Sequence, residues 1–264
     1  MPLPKISVVI RNKNQADALL FLLKNLNERY KEDIDEIIVI DNLSTDNSIA
    51  ISEKFNARVI SIDKFSYGIS ANLAAQSARN NIIVIFSAHA YPISWDFFKL
   101  IKQKFNDNSK LAGLRCLHND SDYKTYINKI SAKEDPNKAG LMFCGAAFSK
   151  SVWEIQNFKN NIRTFEDKEW TKKVLKLGYE IDFTPSIYSY SIKRNKSQLF
   201  FRFKNEVVGS YQLWHTKYSF INSLKSLLSS IYKTVVNAFL DLFYALKRFI
   251  FMLYFLWNKP EKFK

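Results

Sequence analysis

Short apolar runs of strand length alternate with stretches of helical periodicity through the first third of the chain. The strand-like runs, rich in Val and Ile, are residues 6–10, 36–40, 58–62 and 82–86. Apolar residues recur at helical spacing between them, as in Leu19, Leu22 and Leu26. Strands joined through helices run parallel, and right-handed crossovers cover both faces of the sheet. The pattern therefore predicts an α/β fold with a mostly parallel, Rossmann-like sheet flanked by helices.

Polar clusters come directly after three of these strand-like runs, at residues 11–14, 41–48 and 87–91. The carboxyl ends of parallel strands open onto a common crevice, so we expect the three loops to meet at one ligand site. In this site Arg11 and Asn14 would line a pocket, although a lone arginine in a loop is more often simply solvated.

Glycine-rich phosphate-binding loops are missing from the sequence. The first strand-like run is followed by Arg-Asn-Lys-Asn rather than G-x-G-x-x-G, the P-loop pattern is absent, and the chain has only six glycines. A phosphorylated ligand would therefore be held by side chains or by a metal ion.

Composition and charge indicate the kind of partner and the cellular compartment to expect. The net charge of +14 and the pI near 9.6 indicate an anionic partner: nucleic acid, a phosphorylated ligand or an acidic membrane surface. The two cysteines, Cys116 and Cys144, have no metal-ligand spacing, which fits a reducing compartment. The first residues lack the long apolar stretch of a signal peptide, so we expect a cytoplasmic protein.

Four longer blocks of sequence carry a family resemblance. In order, they are SVVIRNKNQADALLFLLKNL, EIIVIDNLSTDNSIAI, FSYGISANLAAQSARNNIIVIFSAHAYP and FEDKEWTKKVLKLGYEIDFTP. Together, over residues 5–210, they resemble family 2 glycosyltransferases with the GT-A fold, most closely the bacterial members that build surface polysaccharides. The resemblance implies inverting transfer of a sugar from a UDP- or dTDP-sugar to a hydroxyl of a glycan or polyprenyl-linked acceptor.

The second block implies a role for Asp41. In the family, the carboxylate at this position accepts a hydrogen bond from the nucleotide base, and a charge-assisted bond to an imide N–H would favour uracil or thymine. The alternative is that Asp41, Ser44 and Asp46 only cap the following helix. We expect Ser44 or Asp46 to form the cap and Asp41 to bind the base.

The third block departs from the family at its end. Relatives carry an Asp-x-Asp motif whose last carboxylate binds a divalent cation, Mn²⁺ or Mg²⁺, whereas this chain has Ser87-Ala88-His89. These hard ions prefer oxygen, although Mn²⁺ also accepts imidazole. Three interpretations of His89 stay open: a metal ligand, a direct contact of the donor diphosphate beside Ser87, or an ordinary histidine at a strand end.

The last block and the segment before it imply which residues bind the sugar and activate the acceptor. The small-residue segment CGAAFSK resembles the family's sugar-binding stretch, with Gly145 allowing close approach of the backbone. In the family, the second acid of the Glu-Asp pair removes the proton of the acceptor hydroxyl, which maps onto Asp167, with Glu166 as its neighbour in the acceptor site. The alternative is that Glu166, Asp167 and Glu169 only favour a helix N-terminus.

A second departure concerns the metal site. Relatives often carry histidines near residues 187–191, where this chain reads Ile-Tyr-Ser-Tyr-Ser. With these imidazoles and the Asp-x-Asp carboxylates replaced, the basic residues Lys193, Arg194 and Lys196 would neutralise the diphosphate instead of a cation. The same residues would equally suit a solvated surface or contact with head groups.

The end of the chain differs in composition from the rest. Residues 220–257 are mostly apolar, with Lys233, Asn237, Asp241 and Arg248 forming a polar stripe. We expect residues 1–215 to form the catalytic domain, and residues 216–264 to form a pair of amphipathic helices. These would lie on the inner face of the membrane, or pack on the catalytic domain or on a second copy of the chain.

Two functional classes other than an enzyme are compatible with parts of the sequence. A nucleic-acid binder would suit the basic charge and the aromatic residues near 200–214, but no nucleic-acid-binding motif accompanies them, so we expect no such partner. An inactive relative acting as a scaffold would suit the missing Asp-x-Asp motif, whereas the intact Glu166-Asp167 pair favours an enzyme.

Overall fold

The computed structural model describes residues 4–263. The chain divides into two compact units, with the boundary between Trp214 and His215. Among the described residues, the first unit contains a mixed sheet, nine α-helices and a short 3-10 helix at Lys31–Asp33, and the second unit contains one long helix.

The described strands of the first unit form one eight-stranded sheet in the order β3-β2-β1-β4-β7-β6-β8-β5. The strands are β1 (Ile6–Asn12), β2 (Glu36–Asp41), β3 (Arg58–Ser61), β4 (Ile82–Ser87), β5 (Ala90–Pro92), β6 (Leu111–Leu117), β7 (Gly145–Ser149) and β8 (Glu180–Tyr190). Strands β1 to β4 pair in parallel, as do β6 and β8, whereas β7 is antiparallel to both of its neighbours and β5 is antiparallel to β8. The predicted mostly parallel α/β sheet is confirmed.

Helices pack on both faces of this sheet and bury two apolar clusters. They are α1 (Ala16–Arg29), α2 (Ser48–Lys54), α3 (Tyr67–Ser77), α4 (Phe97–Asp107), α5 (Asp120–Ile127), α6 (Pro136–Ala139), α7 (Lys150–Ile155), α8 (Glu166–Lys176) and α9 (Lys196–Trp214). One cluster joins α3 and α8 to the sheet, and the other joins α1 and α4 to it. Alternate side chains of β1, such as Val8 and Val9, enter different clusters, because successive residues of a strand point to opposite faces.

One boundary was predicted wrongly, and it changes the position of Arg11. The first strand does not stop at residue 10: its pairing continues through Arg11, which lies opposite Ile40 of β2 and Ser87 of β4. Arg11 is therefore a buried strand residue and not a loop residue, because the ladder on both sides holds its backbone. The interpretation of Arg11 as a solvated loop arginine is also wrong.

The second unit contains α10 (Phe220–Trp257), a single helix of 38 residues rather than the expected pair. No glycine or proline interrupts residues 220–257, so nothing breaks the helix before Asn258, and Pro260 follows. The Ser219 side chain caps it by accepting a hydrogen bond from the Asn222 N–H. None of the helices in the described residues is long and apolar enough to span a bilayer.

Candidate active site

The loops after β1 and β2 are tied together by side chains around Asp41. The Asp41 carboxylate accepts hydrogen bonds from the Asn12 amide at 2.9 Å, from the Ser44 hydroxyl at 2.6 Å and from the Ser44 N–H at 2.7 Å. Asp41 is only 1% exposed. A carboxylate has about four acceptor positions. Because Oδ2 accepts only the Ser44 N–H bond, it keeps one position for a ligand.

Asn14 and Asp46 join the same two loops from outside. The Asn14 side-chain oxygen accepts the Thr45 N–H at 2.7 Å, and the Asn14 N–H donates to Ser44 Oγ at 2.8 Å. Asp46 accepts the N–H of Ala16 and of Ser48, the first residues of α1 and α2. Of Ser44 and Asp46, the two residues expected to cap a helix, Asp46 therefore caps both α1 and α2. Asn14 links the loops and does not contact Arg11.

Arg11 contacts the opposite part of the site. Its Nη1 donates to Glu166 Oε1 at 3.2 Å, and its guanidinium carbon lies 5.3 Å from the centre of the Phe143 ring. The Asn12 side chain turns instead to Asp41, since neighbouring strand residues face opposite ways. The structure thus brings Arg11 to Glu166 and separates it from Asn14 and Asp41.

The Glu166-Asp167 pair begins α8 after a strained residue. Phe165 adopts a left-handed conformation, with φ 67°, which is costly for a bulky side chain. Helix α9 stabilises this turn through Gly209, where a Cβ atom would come within 2.8 Å of the Phe165 ring. This close packing fixes the point at which the two acids enter the site.

The two acids have different surroundings although both are buried. Burial, and then the neighbouring Asp167 carboxylate, raise the pKa of Glu166 to about 7, against the opposing charge of Arg11. Asp167 accepts two backbone N–H bonds, from Phe143 at 2.9 Å and from Lys168 at 2.7 Å. These bonds orient its carboxylate and leave each oxygen a further acceptor position.

A buried polar network extends from Asp167 to the end of β6. Lys168 Nζ and Arg115 Nη1 both donate to the Gly140 carbonyl at 2.8 Å. Arg115 also holds Asp122, which in turn accepts the His118 Nδ1–H at 2.5 Å. Burial, and then the charge of Arg115, lower the pKa of Lys168 to about 7.

His118 lies among the aromatic residues of β8. Its ring stacks on Tyr188, with centroids 5.1 Å apart, and meets the edge of Tyr190 at 6.1 Å. His118 was not among the predicted site residues, although polar residues directly after a strand-like run were candidates elsewhere in the chain. It directly follows the apolar run of β6, residues 111–117.

His89 is the second residue of the turn between β4, which ends at Ser87, and β5, which begins at Ala90. Its Nδ1 is 2.7 Å from the Gln15 side-chain oxygen, so Nδ1 carries the proton in this arrangement. Nε2 is buried and has no partner. Burial, and then the charge of Arg194, lower the pKa of His89 to about 4, so the ring is neutral at pH 7. It borders a cleft of about 250 Å³.

The surroundings of His89 do not fit a divalent cation held by the protein. Its Nε2 lone pair is one ligand that Mn²⁺ accepts. Across residues 4–263, however, no three His, Cys, Asp or Glu side chains are grouped to hold a metal ion. The charged group beside the ring is the Arg194 guanidinium, a cation itself.

Gly145 allows a close approach, but the group that approaches it is the Tyr188 side chain. A Cβ atom at Gly145 would come within 2.7 Å of the Tyr188 ring, so the space beside this glycine is filled by an aromatic side chain. In this structure Gly145 is needed for packing between β7 and β8. The expected contact of its backbone with a sugar is not what requires glycine here.

Three comparisons with known proteins bear on this site. The family model for glycosyl transferase family 2 matches residues 7–171. A relative from Methanococcus voltae is 23% identical over 233 residues, which cover 75% of this chain and 70% of the relative. Its name is dolichyl N-acetyl-alpha-D-glucosaminyl phosphate 3-beta-D-2,3-diacetamido-2,3-dideoxy-beta-D-glucuronosyltransferase.

Two solved structures share the fold. A mannosyltransferase from Pyrobaculum calidifontis, in complex with GDP-Man and Mn²⁺, matches with a TM-score of 0.64 at 17% identity, covering 82% of this chain. This chain spans 66% of that protein's length. Glucosyl-3-phosphoglycerate synthase from Mycobacterium tuberculosis, in complex with Mn²⁺ and UDP-glucose, matches with a TM-score of 0.61 at 13% identity, covering 82% and 81% of the two chains.

At these identities the structural likeness concerns the fold alone. The family match is stronger evidence, because it covers residues 7–171 of 264, more than half of the chain. The chain therefore belongs to glycosyl transferase family 2, and it is a glycosyltransferase with the GT-A fold.

Proposed function

We propose that the protein is an inverting transferase that moves a sugar from a UDP- or dTDP-sugar to a hydroxyl of a glycan or lipid-linked glycan in polysaccharide assembly. The observation that carries this proposal is the buried Glu166-Asp167 pair. Asp167 is oriented by two backbone N–H groups, and Glu166 is held by Arg11 from the first strand of the sheet.

The proposed chemistry is one displacement. The acceptor oxygen attacks the anomeric carbon from the face opposite the diphosphate and forms the new C–O bond. The bond between the anomeric carbon and the phosphate oxygen breaks, and the nucleoside diphosphate leaves with its electron pair. Asp167 takes the proton of the acceptor hydroxyl as general base. Glu166, with its pKa near 7, is the second candidate for this role.

The donor base is proposed to bind at Asp41. The free acceptor position of Oδ2 suits the imide N–H of uracil or thymine, which neither adenine nor cytosine offers. The name of the Methanococcus relative describes transfer to a dolichyl phosphate-linked sugar, which supports a lipid-linked acceptor here.

Isothermal titration calorimetry with the full chain tests the donor assignment. UDP, dTDP, ADP and CDP are each titrated, and UDP or dTDP should bind at least about tenfold more tightly than the other two, which corresponds to about 1.4 kcal/mol. A panel of UDP- and dTDP-sugars then tests turnover through release of the nucleoside diphosphate. Binding without any turnover would favour the inactive scaffold, and binding of none of the nucleotides would refute the proposal.

The second unit is proposed to hold the enzyme on the inner face of the membrane. Helix α10 has a wide exposed apolar face, while Lys233, Asn237, Asp241 and Arg248 form a narrow polar stripe along it. Such a helix lies in the interface and is attracted by the anionic lipids of the cytoplasmic leaflet. The alternative occupant of the apolar face is a second copy of the chain.

Flotation with vesicles separates these two occupants. The full chain should float with vesicles containing phosphatidylglycerol, and a chain ending at Trp214 should not. Salt should weaken the binding, since part of the attraction is electrostatic. If the full chain stays unbound and forms dimers that the truncated chain lacks, the apolar face is an oligomer contact.

A further inference from the structure

An arginine lies beside His89, the residue at which the family resemblance implied a divalent cation. Arg194 Nη2 donates a hydrogen bond to the Tyr190 hydroxyl at 2.6 Å, and its guanidinium carbon lies 5.8 Å from the centre of the Tyr190 ring. The same Tyr190 ring meets the edge of the His89 ring, with centroids 4.9 Å apart. Tyr190 therefore holds the guanidinium beside His89, at the carboxyl end of β4.

Arg194 differs from the other arginines of this site in its partners. Arg11 pairs with Glu166, Arg115 with Asp122 and Arg202 with Glu206. Within residues 4–263, no carboxylate lies within ion-pair distance of Arg194. A half-buried guanidinium that only a phenol oxygen satisfies keeps several N–H donors for an anion.

A guanidinium suits a diphosphate for geometric reasons. Its planar fork donates two parallel N–H bonds to two phosphate oxygens, and it stays charged at every physiological pH. A charge placed there would also offset the negative charge that develops on the leaving diphosphate. The lack of grouped metal ligands and the presence of an unpaired guanidinium at the same position are two independent observations.

We propose that Arg194 takes the place of the divalent cation and binds the diphosphate of the donor, so that donor binding does not require a metal ion. This proposal rests on the proposed function, since it assumes that the diphosphate of a nucleotide donor lies beside His89 and Tyr190. It assigns to Arg194 a specific contact that the neighbouring exposed lysines do not share.

Calorimetry on the full chain tests the proposal with UDP as the probe, alongside dTDP and GDP. Each nucleotide is titrated in EDTA and, separately, in Mn²⁺. The affinity in EDTA should stay within about tenfold of that in Mn²⁺. A larger loss in EDTA overturns the proposal while leaving the proposed function intact. Binding in neither buffer refutes the proposed function and this proposal together.

Variants then assign the contact. Arg194→Met should weaken binding in EDTA by about 10–100-fold, as expected for lost charge-assisted hydrogen bonds to a phosphate. Arg194→Lys, which keeps the charge but not the fork, should fall between wild type and Arg194→Met. The matched control is Lys110→Met, which should bind like wild type. Lys110 is an exposed lysine at the amino end of β6, whereas Arg194 follows the carboxyl end of the parallel neighbour β8.

A second variant covers the case in which Arg194→Met fails to fold. Tyr190→Phe keeps the ring against His89 and removes only the hydroxyl that orients the guanidinium. It should weaken UDP binding in EDTA by less than about tenfold. If Arg194→Met folds and binds UDP in EDTA like wild type, the proposal is wrong.

Discussion

The two ends of the candidate site are built by different means. At the end formed by the loops after β1 and β2, short polar side chains bond to neighbouring loop atoms, as Ser44 does to Asp41. At the end formed by α8, charged side chains from distant parts of the chain meet in the interior, as Arg11 and Glu166 do across 155 residues of sequence. The first end is a preformed cradle, and the second is a set of buried charges.

This difference bears on what each end can do. Hydrogen bonds between neighbouring loop atoms hold the Asp41 carboxylate in a fixed position. Burial, and then neighbouring charges, bring the pKa values of Glu166 and Lys168 to about 7. We therefore expect recognition at the first end and proton transfer at the second.

The largest expected effect is at the charged end. Asp167→Asn keeps the size of the side chain but removes the base, so it should lower single-turnover transfer by about 10²–10⁴-fold. It keeps one of the two backbone N–H bonds, because the two N–H groups donate to different oxygens and an amide NH2 cannot accept. Nucleotide affinity measured by calorimetry should stay unchanged, because Asp41, the proposed contact of the donor base, lies at the other end.

Glu166→Gln is the matched control for Asp167→Asn. It keeps an oxygen that accepts from Arg11 and removes one negative charge from the same buried pair. It should retain more transfer activity than Asp167→Asn. The reverse result, with a nearly inactive Glu166→Gln and an active Asp167→Asn, would make Glu166 the base.

The two ends also differ in how much the sequence predicts. Asp41, Asn14 and the cap at Asp46 follow recognisable strand-like runs, so their loops could be located by pattern alone. The partner of Arg11 could not, because nothing local indicates that a residue 155 positions away will face it. The pattern treated Arg11 as a loop residue, whereas strand pairing extends through it.

The sheet shows the same limit. Parallel strands joined by helices were predictable for β1 to β4, because crossovers dictate their direction. The antiparallel insertion of β7 between β4 and β6 was not, since a five-residue run such as GAAFS carries no signal for direction. That insertion brings the chain before Gly145 to Asp167, where the Phe143 N–H donates to it.

A smaller effect is expected at the cradle. Asp41→Asn preserves size and still accepts the Ser44 N–H, but it replaces a charged acceptor by a neutral one. UDP affinity should fall by about 1.5–3 kcal/mol, the range for hydrogen bonds to a charged group. Calorimetry at constant salt measures the change.

Asp46→Asn provides the comparison for Asp41→Asn. Asp46 lies in the same loop and caps α1 and α2 without an assigned nucleotide contact. Its substitution should cost up to about 1 kcal/mol in the free energy of unfolding and leave UDP affinity nearly unchanged. Equal affinity losses in both variants would mean that Asp41 acts only by holding the loop.

The smallest expected effect is at Lys168, and its dependence on pH tests whether the charged end is built as described. Lys168 is 5% exposed and donates to the Gly140 carbonyl, which Arg115 also satisfies. Lys168→Met therefore leaves that carbonyl bonded, and at pH 10, where the buried lysine is neutral, it should change the free energy of unfolding by no more than about 1 kcal/mol.

The sign of the pH dependence follows from the lowered pKa. Lys168 has a pKa of about 7 in the folded protein against 10.5 ordinarily, so its contribution to stability is present above 10.5 and is lost as pH falls to 7. The stability of Lys168→Met relative to wild type should thus rise from pH 10 to pH 7 and then level off. Urea unfolding of both proteins at pH 6, 7, 8.5 and 10 measures it. Lys124→Met, at an exposed lysine of α5, should show no such trend, and a flat difference for Lys168→Met would mean that the lysine stays charged throughout.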